Sequence, residues 1–333
     1  MASLLQDRHG RRASYMRVSV TDRCNLRCRY CAGEGDFVPH KDILRYEEIL
    51  ELMGLASSLG VEKLRFTGGE PFVRAGFADF LQRAAAEFPD MDLCVTTNAT
   101  LLDDHVVALA AAGIRRVNIS LDTLDPAKFV RITGRDLFDR VRRNIDRCLA
   151  AGMKVKVNAV AMKGVNDDEL HAFLQFATNN PVDMRFIEFM PVGLETGWKG
   201  DAVWTAEEIL TQAGELADLI PDETPDGCRS GPARMFSLAG GLGRIGLISP
   251  YSDHFCDTCN RLRLTASGDL RTCLFSDKVY RLRPTLRHPA LGIEGVERII
   301  RQANRHKPLG HRLLERMAAG PGVCRTRMAS IGG

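Results

Sequence analysis

The chain has no apolar run approaching the roughly 20 residues that a helix needs to cross a bilayer, which excludes an ordinary membrane span. Its first 23 residues, ending in VSVTDR, lack the basic stretch, apolar core and small-residue cleavage site of a secretory signal. The cytoplasm is therefore the expected location. Internal repeats and long low-complexity linkers are also missing, which excludes a repeat array. The ten cysteines lack the pattern of a disulfide framework. Six of them fall into two groups more than 200 residues apart, Cys24-x3-Cys28-x2-Cys31 and Cys256-x2-Cys259 followed by Cys273. Close-spaced thiolates without an export signal point to metal rather than to disulfides. Cys94, Cys148, Cys228 and Cys324 read as buried or incidental thiols.

What is present is an ordinary soluble mixture, 45% hydrophobic and 26% charged over 333 residues. That length suffices for one large domain with an appendage. The net charge of +3 is unevenly spread. From Cys228 onward 18 Arg or Lys stand against 7 Asp or Glu, whereas residues 1–227 carry 27 against 35. The C-terminal third therefore either meets something anionic or presents a solvated basic face.

Short β-rich segments recur at 16–20, 62–66, 92–96, 116–120, 154–160 and 184–189. Between them, 46–60, 76–88, 101–113, 138–152 and 167–178 have helical spacing. Six βα steps predict an α/β fold with a mostly parallel sheet, and function beyond the C-terminal ends of its strands. The pattern loosens near 190, so residues 1–190 and 191–333 are expected to form two regions.

Three thiolates from one short loop can hold three irons of a [4Fe–4S] cube and leave the fourth open. Zinc usually takes a fourth protein ligand or a water, and His40 is nine residues beyond Cys31. Cys256, Cys259 and Cys273 repeat the three-ligand pattern around a segment that reads as a hairpin turning at SGD. For this second group a zinc site completed by His254 or Asp257 stays open beside a cluster. Arg261 and Arg263 alternate onto one face. With Lys63, Arg65, Lys156 and Arg185 they can form a cationic socket for phosphates, although any one of them could instead make a structural ion pair.

CNLRCRYC (24–31) resembles the signature of the radical S-adenosylmethionine (SAM) superfamily. In that family the amino and carboxylate groups of SAM chelate the open iron, and an electron from the cluster cleaves the sulfonium to give a 5′-deoxyadenosyl radical. The resemblance implies that Tyr30 packs beside the cofactor and that Gly69 and Glu70 of TGGEP meet the SAM amino group. It further implies SAM contacts from Ser120 and from the backbone of Met190.

The longer motifs YMRVSVTDRCNLRCRYC, KLRFTGGEP, NISLDTLD, RFIEFMPVG and GRIGLISPYSDHFCDTCNRLRLTASGDLRTCLFSD, with the MASIGG tail, resemble the GTP 3′,8-cyclase family. That family is also known as molybdenum cofactor biosynthesis protein A. The resemblance implies an incomplete (β/α)6 radical SAM barrel with a C-terminal auxiliary iron–sulfur region, and two [4Fe–4S] clusters in all. It implies a lyase that converts GTP to 3′,8-cyclo-7,8-dihydro-GTP, using SAM and reductant, early in molybdenum cofactor biosynthesis. Arg17, Lys63, Arg65, Thr96, Lys156, Arg185, Arg261 and Arg263 would form the GTP pocket. Arg17, Arg261, Arg263, Gly332 and Gly333 would be catalytic.

Expected partners are an external one-electron reductant, cyclic pyranopterin monophosphate synthase as the user of the product, and optionally a second copy of the chain. Nucleic acid is not expected. Two departures stand out. Ala32-Gly33 follows Cys31 where the family usually has Met-Pro, and Ala99 stands where TTNG would place glycine. The alternatives are a two-cluster radical SAM enzyme acting on a peptide and a zinc-stabilised nucleic-acid module. The second lacks any recognised nucleic-acid-binding signature.

Overall fold

The computed structural model describes residues 4–31, 37–193, 200–222, 231–317 and 324–332. Six strands lead the chain: β1 (Tyr15–Ser19), β2 (Lys63–Thr67), β3 (Asp92–Thr97), β4 (Arg116–Ser120), β5 (Lys154–Ala161) and β6 (Val182–Glu188). The helices α1 (Tyr46–Ser58), α2 (Phe77–Glu87) and α3 (His105–Ala111) occupy the first three crossovers. Two helices, α4 (Pro126–Thr133) and α5 (Phe138–Ala150), fill the fourth, and α6 (Leu170–Asn179) fills the fifth. Each strand pairs parallel with the next, as helical crossovers require. The expected strands and helices therefore stand, with shifts of a few residues at their ends.

The helix α4 is absent from the sequence expectation because PAKFVRIT is too short to show two apolar turns. It forms nonetheless, because Asp125 caps it by accepting a bond from the Lys128 amide at 2.7 Å and Pro126 opens it.

Alternation along each strand separates two faces. Leu64, Phe66, Val95, Ile119, Val157 and Phe186 are buried under the helices. Phe66 meets Phe77 and Phe80 of α2 edge-on, and Phe186 does the same with Phe173 of α6 and with Trp204. The other face carries polar residues and turns toward a cavity.

Beyond residue 191, α7 (Ala206–Leu216) starts at a Thr205–Glu208 capping box. The strands β7 (Leu219–Pro221), β8 (Arg234–Leu238) and β9 (Arg244–Ile248) then add to one edge of the sheet, with β9 parallel to β6. At the other edge β10 (Arg261–Leu264) runs parallel to β1. It continues into the expected hairpin with β11 (Asp269–Arg271) and then β12 (Tyr280–Arg281). One twelve-stranded sheet results. The two expected regions thus share a sheet, because strands from beyond residue 190 extend both of its edges. The helices α8 (Arg283–Leu286), α9 (Gly292–Arg305), α10 (Gly310–Met317) and α11 (Met328–Ile331) complete the described chain. Among the described residues no helix is long and apolar enough to cross a membrane.

Candidate active site

Strands from opposite ends of the sheet order line the same cavity, so the sheet curls into a trough. Arg17 of β1, Arg65 of β2, Arg185 of β6, Ile248 of β9 and Arg263 of β10 all face it. All six grouped cysteines line it as well.

The first trio follows β1. The Gly69 and Glu70 amides donate to the Thr21 and Arg23 carbonyls, both at 2.8 Å, which zips the TGGEP turn to the backbone entering Cys24. A side chain at Gly68 or Gly69 would collide with the carbonyls of Thr21 or Arg23, so both positions demand glycine. The Cys24 sulfur accepts N–H bonds from Leu26 at 3.4 Å and from the Asn98 side chain at 3.7 Å. Asn98 is itself oriented by Asn25 and Thr100.

Burial raises the Cys24 and Cys28 thiols and pushes Cys31 up to about 12. Bound cationic iron supplies the compensation that would hold such thiols as thiolates. Among the described residues no three His, Cys, Asp or Glu are gathered as a single metal ion requires. Three thiols from one loop suit a cluster that takes one of its irons on each and leaves a fourth iron open.

Glu70 is tied to the end of β3. Its carboxylate is fully buried and accepts from Thr97 Oγ1 at 2.8 Å, the Asn98 amide at 2.6 Å and the Phe72 amide at 3.1 Å. It braces strand ends rather than lining the cavity, and burial raises it to about 7. Gly69, Tyr30, Ser120 and Met190 do line the cavity. The Tyr30 hydroxyl donates to Asp122 at 2.6 Å.

In the second trio, a side chain on Gly310 would lie 3.1 Å from the Cys256 sulfur and 3.3 Å from that of Cys273, so the two sulfurs converge beneath one glycine. Neither His254 nor Asp257 lines the cavity; the His254 ring meets the Pro250 carbonyl at 2.9 Å and stacks on His311. Two cations absent from the sequence reading hold this loop. Arg11, paired with Asp7, donates to the carbonyls of Cys256, Lys307 and Pro308 at 2.7, 3.0 and 3.1 Å. Buried Lys307 donates to the carbonyls of Cys259 and Arg261, both at 2.7 Å. Burial works to raise Cys259, but Lys307 and Arg261 outweigh it and bring the thiol down to about 7.

Between the trios lies a cationic row fixed by strand register. Arg17 sits level with Arg263 on one side and Arg65 on the other, while Tyr15 is level with Arg261 and Lys63. On the facing strands Asn158 is level with Arg185. Burial first, and then mutual repulsion, pushes Arg261 and Arg263 below the usual guanidinium range. Because a guanidinium does not give up its proton, an anion bound among these arginines would offset that desolvation and repulsion. Tyr15 Oη, Arg17 Nε, Arg65 Nε, Thr96 Oγ1 and Arg185 Nε are buried without a partner among the described residues. Lys63 pairs with Asp92 at 3.2 Å and still lines the cavity. Lys156 lies behind the lining, 3.7 Å from Asp183, and burial aided by Arg185 lowers it to about 7.

The C-terminal segment enters this trough. Asp277 accepts from the Arg325 amide at 2.8 Å and from Thr326 Oγ1 at 2.6 Å, and Arg271 donates to Thr326 Oγ1 at 2.8 Å. Past that clamp, α11 delivers the Gly332 carbonyl to Arg263 at 2.6 Å and to Arg17 at 3.4 Å. Gly333, Ala32, Gly33 and Cys228 lie outside the described residues.

Residues 18–177 match the Radical SAM superfamily, and residues 182–313 match Molybdenum Cofactor Synthesis C. A GTP 3′,8-cyclase from Alkaliphilus oremlandii is 41% identical over 93% of this chain and 95% of its own length. One from Thermodesulfovibrio yellowstonii is 44% identical over 89% of this chain and 92% of its own length. Among solved structures, Streptococcus suis SuiB bound to S-adenosylmethionine aligns with a TM-score of 0.63 at 16% identity. That alignment covers 92% of this chain and 69% of SuiB, and it is a likeness of fold.

Proposed function

The chain belongs to the GTP 3′,8-cyclase family of radical SAM enzymes, and we propose that the cyclisation takes place in the trough between its two cysteine trios. The enzyme converts GTP to 3′,8-cyclo-7,8-dihydroguanosine 5′-triphosphate, an early step of molybdenum cofactor biosynthesis. The observation that carries the placement is the in-register row of Arg263, Arg17 and Arg65, in which Arg17 and Arg65 each hold a buried Nε with no partner among the described residues, between two sets of three thiols.

Cys24, Cys28 and Cys31 would hold one cluster, with SAM beside Tyr30, Gly69, Ser120 and Met190. Cys256, Cys259 and Cys273 would hold the other. When bound, the clusters and SAM supply the one-electron radical chemistry that joins C3′ to C8. The protein's own work is charge neutralisation, orientation and exclusion of water. Arg17, Arg65, Arg185, Arg261 and Arg263, backed by Lys63 and Lys156, neutralise the triphosphate. Thr96 offers a hydroxyl to the same ligand. The Tyr30–Asp122 bond fixes the aromatic wall near the first trio, and the tail at Gly332 covers Arg17 and Arg263 when no anion is there.

An external one-electron reductant, delivery of product to cyclic pyranopterin monophosphate synthase, a homodimeric state and a cytoplasmic location belong to the same proposal. The test is an anaerobic incubation with SAM, reductant and either GTP or a peptide pool, followed by mass spectrometry. A 3′,8-linked nucleotide with stoichiometric 5′-deoxyadenosine is expected. SAM cleavage that depends on peptide and ignores GTP would overturn the placement.

A further inference from the structure

The loop bearing the first trio has an outer side that the trough does not use. Arg27 and Arg29 flank Cys28, and both are exposed. Their amides donate to the carbonyls of Thr133 and Ile132, at 2.8 and 3.2 Å, which seats the loop against the C-terminal end of α4. A side chain on Gly134 would lie 3.4 Å from Arg27 Cβ. This packing gathers Arg27, Arg29, Arg131 and Arg135 around one edge of the loop.

All four arginines are exposed, and among the described residues none of them enters an ion pair. The nearby ion pairs belong to other cations, Lys128 with Asp168 and Glu169, and Lys163 with Glu208. Asp167 and Asp168 line the adjoining groove, and Asp167 accepts from the Gly164 amide. Arg29, Arg131 and Lys163 also line a groove whose inner wall includes Tyr30 and Phe189. Tyr30 and Phe189 line the trough as well, so these two side chains form a wall common to this outer groove and to the cavity that the first trio lines.

We propose that this arginine face docks an acidic one-electron carrier protein that reduces the first cluster. The inference rests on the proposed reaction, which consumes electrons from outside the chain. In each docking event the carrier would give up one electron to the cluster that Cys24, Cys28 and Cys31 would hold. Complementary charge speeds encounter and makes it sensitive to salt. A nucleic acid would gain nothing from lying over the redox loop, and the carrier is the anion whose position matters for electron transfer.

The experiment uses the reconstituted holoenzyme and an acidic ferredoxin as the probe. Binding of oxidised ferredoxin is measured at low and high salt, for wild type and for Arg131→Glu/Arg135→Glu. Turnover is measured with reduced ferredoxin and with reduced methyl viologen, a small cation. We expect the variant to bind ferredoxin about 10-fold or more weakly, with little remaining salt dependence, and to lose ferredoxin-driven turnover to a similar degree. Viologen-driven turnover and iron content should stay at wild-type level.

The neutral pair Arg131→Gln/Arg135→Gln should fall between the two. Unchanged ferredoxin affinity would overturn the proposal. So would equal loss with both donors in the neutral pair, or tight binding of single-stranded RNA on this face with no effect on the carrier. Failure to form the cyclised nucleotide with viologen would count against the reaction assignment instead, because carrier binding is read without turnover.

Discussion

Arg261 lies over the rings of Tyr15 and Phe255, at 6.0 and 4.9 Å, and faces the trough with no acidic side chain among the described residues paired to it. Truncating it to alanine removes charge-assisted contacts worth about 1.5–3 kcal/mol, or roughly 10- to 100-fold in kcat/KM for GTP. Iron content should hold, because Lys307 bonds the Arg261 backbone carbonyl rather than the side chain. Unchanged kcat/KM would remove Arg261 from the socket.

Lys156 gives a pH prediction. Burial lowers it to about 7, so the empty pocket holds it largely neutral above that pH. A bound triphosphate favours the ammonium, so binding takes up a proton. GTP affinity should therefore be greatest below pH 7 and decline as pH rises through 8, and Lys156→Arg should flatten the decline. Calorimetry in two buffers of different ionisation enthalpy reads the proton directly. The sign for stability is the reverse. The unfolded chain holds more protons than the native one between about pH 7 and 10.5, so this residue's burial destabilises less as pH climbs through that window.

The cysteines and the alternating arginines were legible because their chemistry is carried by side-chain type and spacing. Arg11 and Lys307 were not, because they serve backbone carbonyls that the sequence does not mark. The bonds from Thr97 and Asn98 to Glu70 were not legible either, because they join two turns 27 and 28 residues apart.

At the scale of elements, β1–β6 and the β10–β11 hairpin could be read from local alternation and turn residues. The parallel pairing of β10 with β1 could not, since those strands lie more than 240 residues apart and local pattern does not say which edge strand a distant segment joins. Yet that pairing is what sets Arg263 beside Arg17. The turn after β3 explains one departure from the family pattern. Ala99 has φ of 60°, in the left-handed region that favours glycine, and its carbonyl is pinned by Asn144 at 2.7 Å. Ala99→Gly should stabilise the fold by on the order of 0.5–1 kcal/mol. A rise of about 1–3 °C in Tm is the expected reading by differential scanning calorimetry. A fall would mean that packing around the buried methyl group outweighs the relief of backbone strain.

Across the whole molecule, the tail joins parts that the sheet alone does not. Asp277 and Arg271 fix Thr326, and six residues later Gly332 touches Arg17 and Arg263. Asp277→Ala should release the tail and lower kcat about 10-fold or more while both clusters remain. Removing Gly332 and Gly333 should match it. Full activity in the truncated chain would exclude a catalytic tail.

The account turns on two separate iron clusters facing one cavity. Iron and zinc quantified per chain after anaerobic reconstitution, in wild type and in two triple variants, tests this most directly. One variant replaces Cys24, Cys28 and Cys31 by alanine, and the other replaces Cys256, Cys259 and Cys273. Roughly eight irons in the wild type and about four in either variant are predicted, with 5′-deoxyadenosine formation lost only when the first trio is removed. One zinc per chain, or iron that stays constant in both variants, would contradict it.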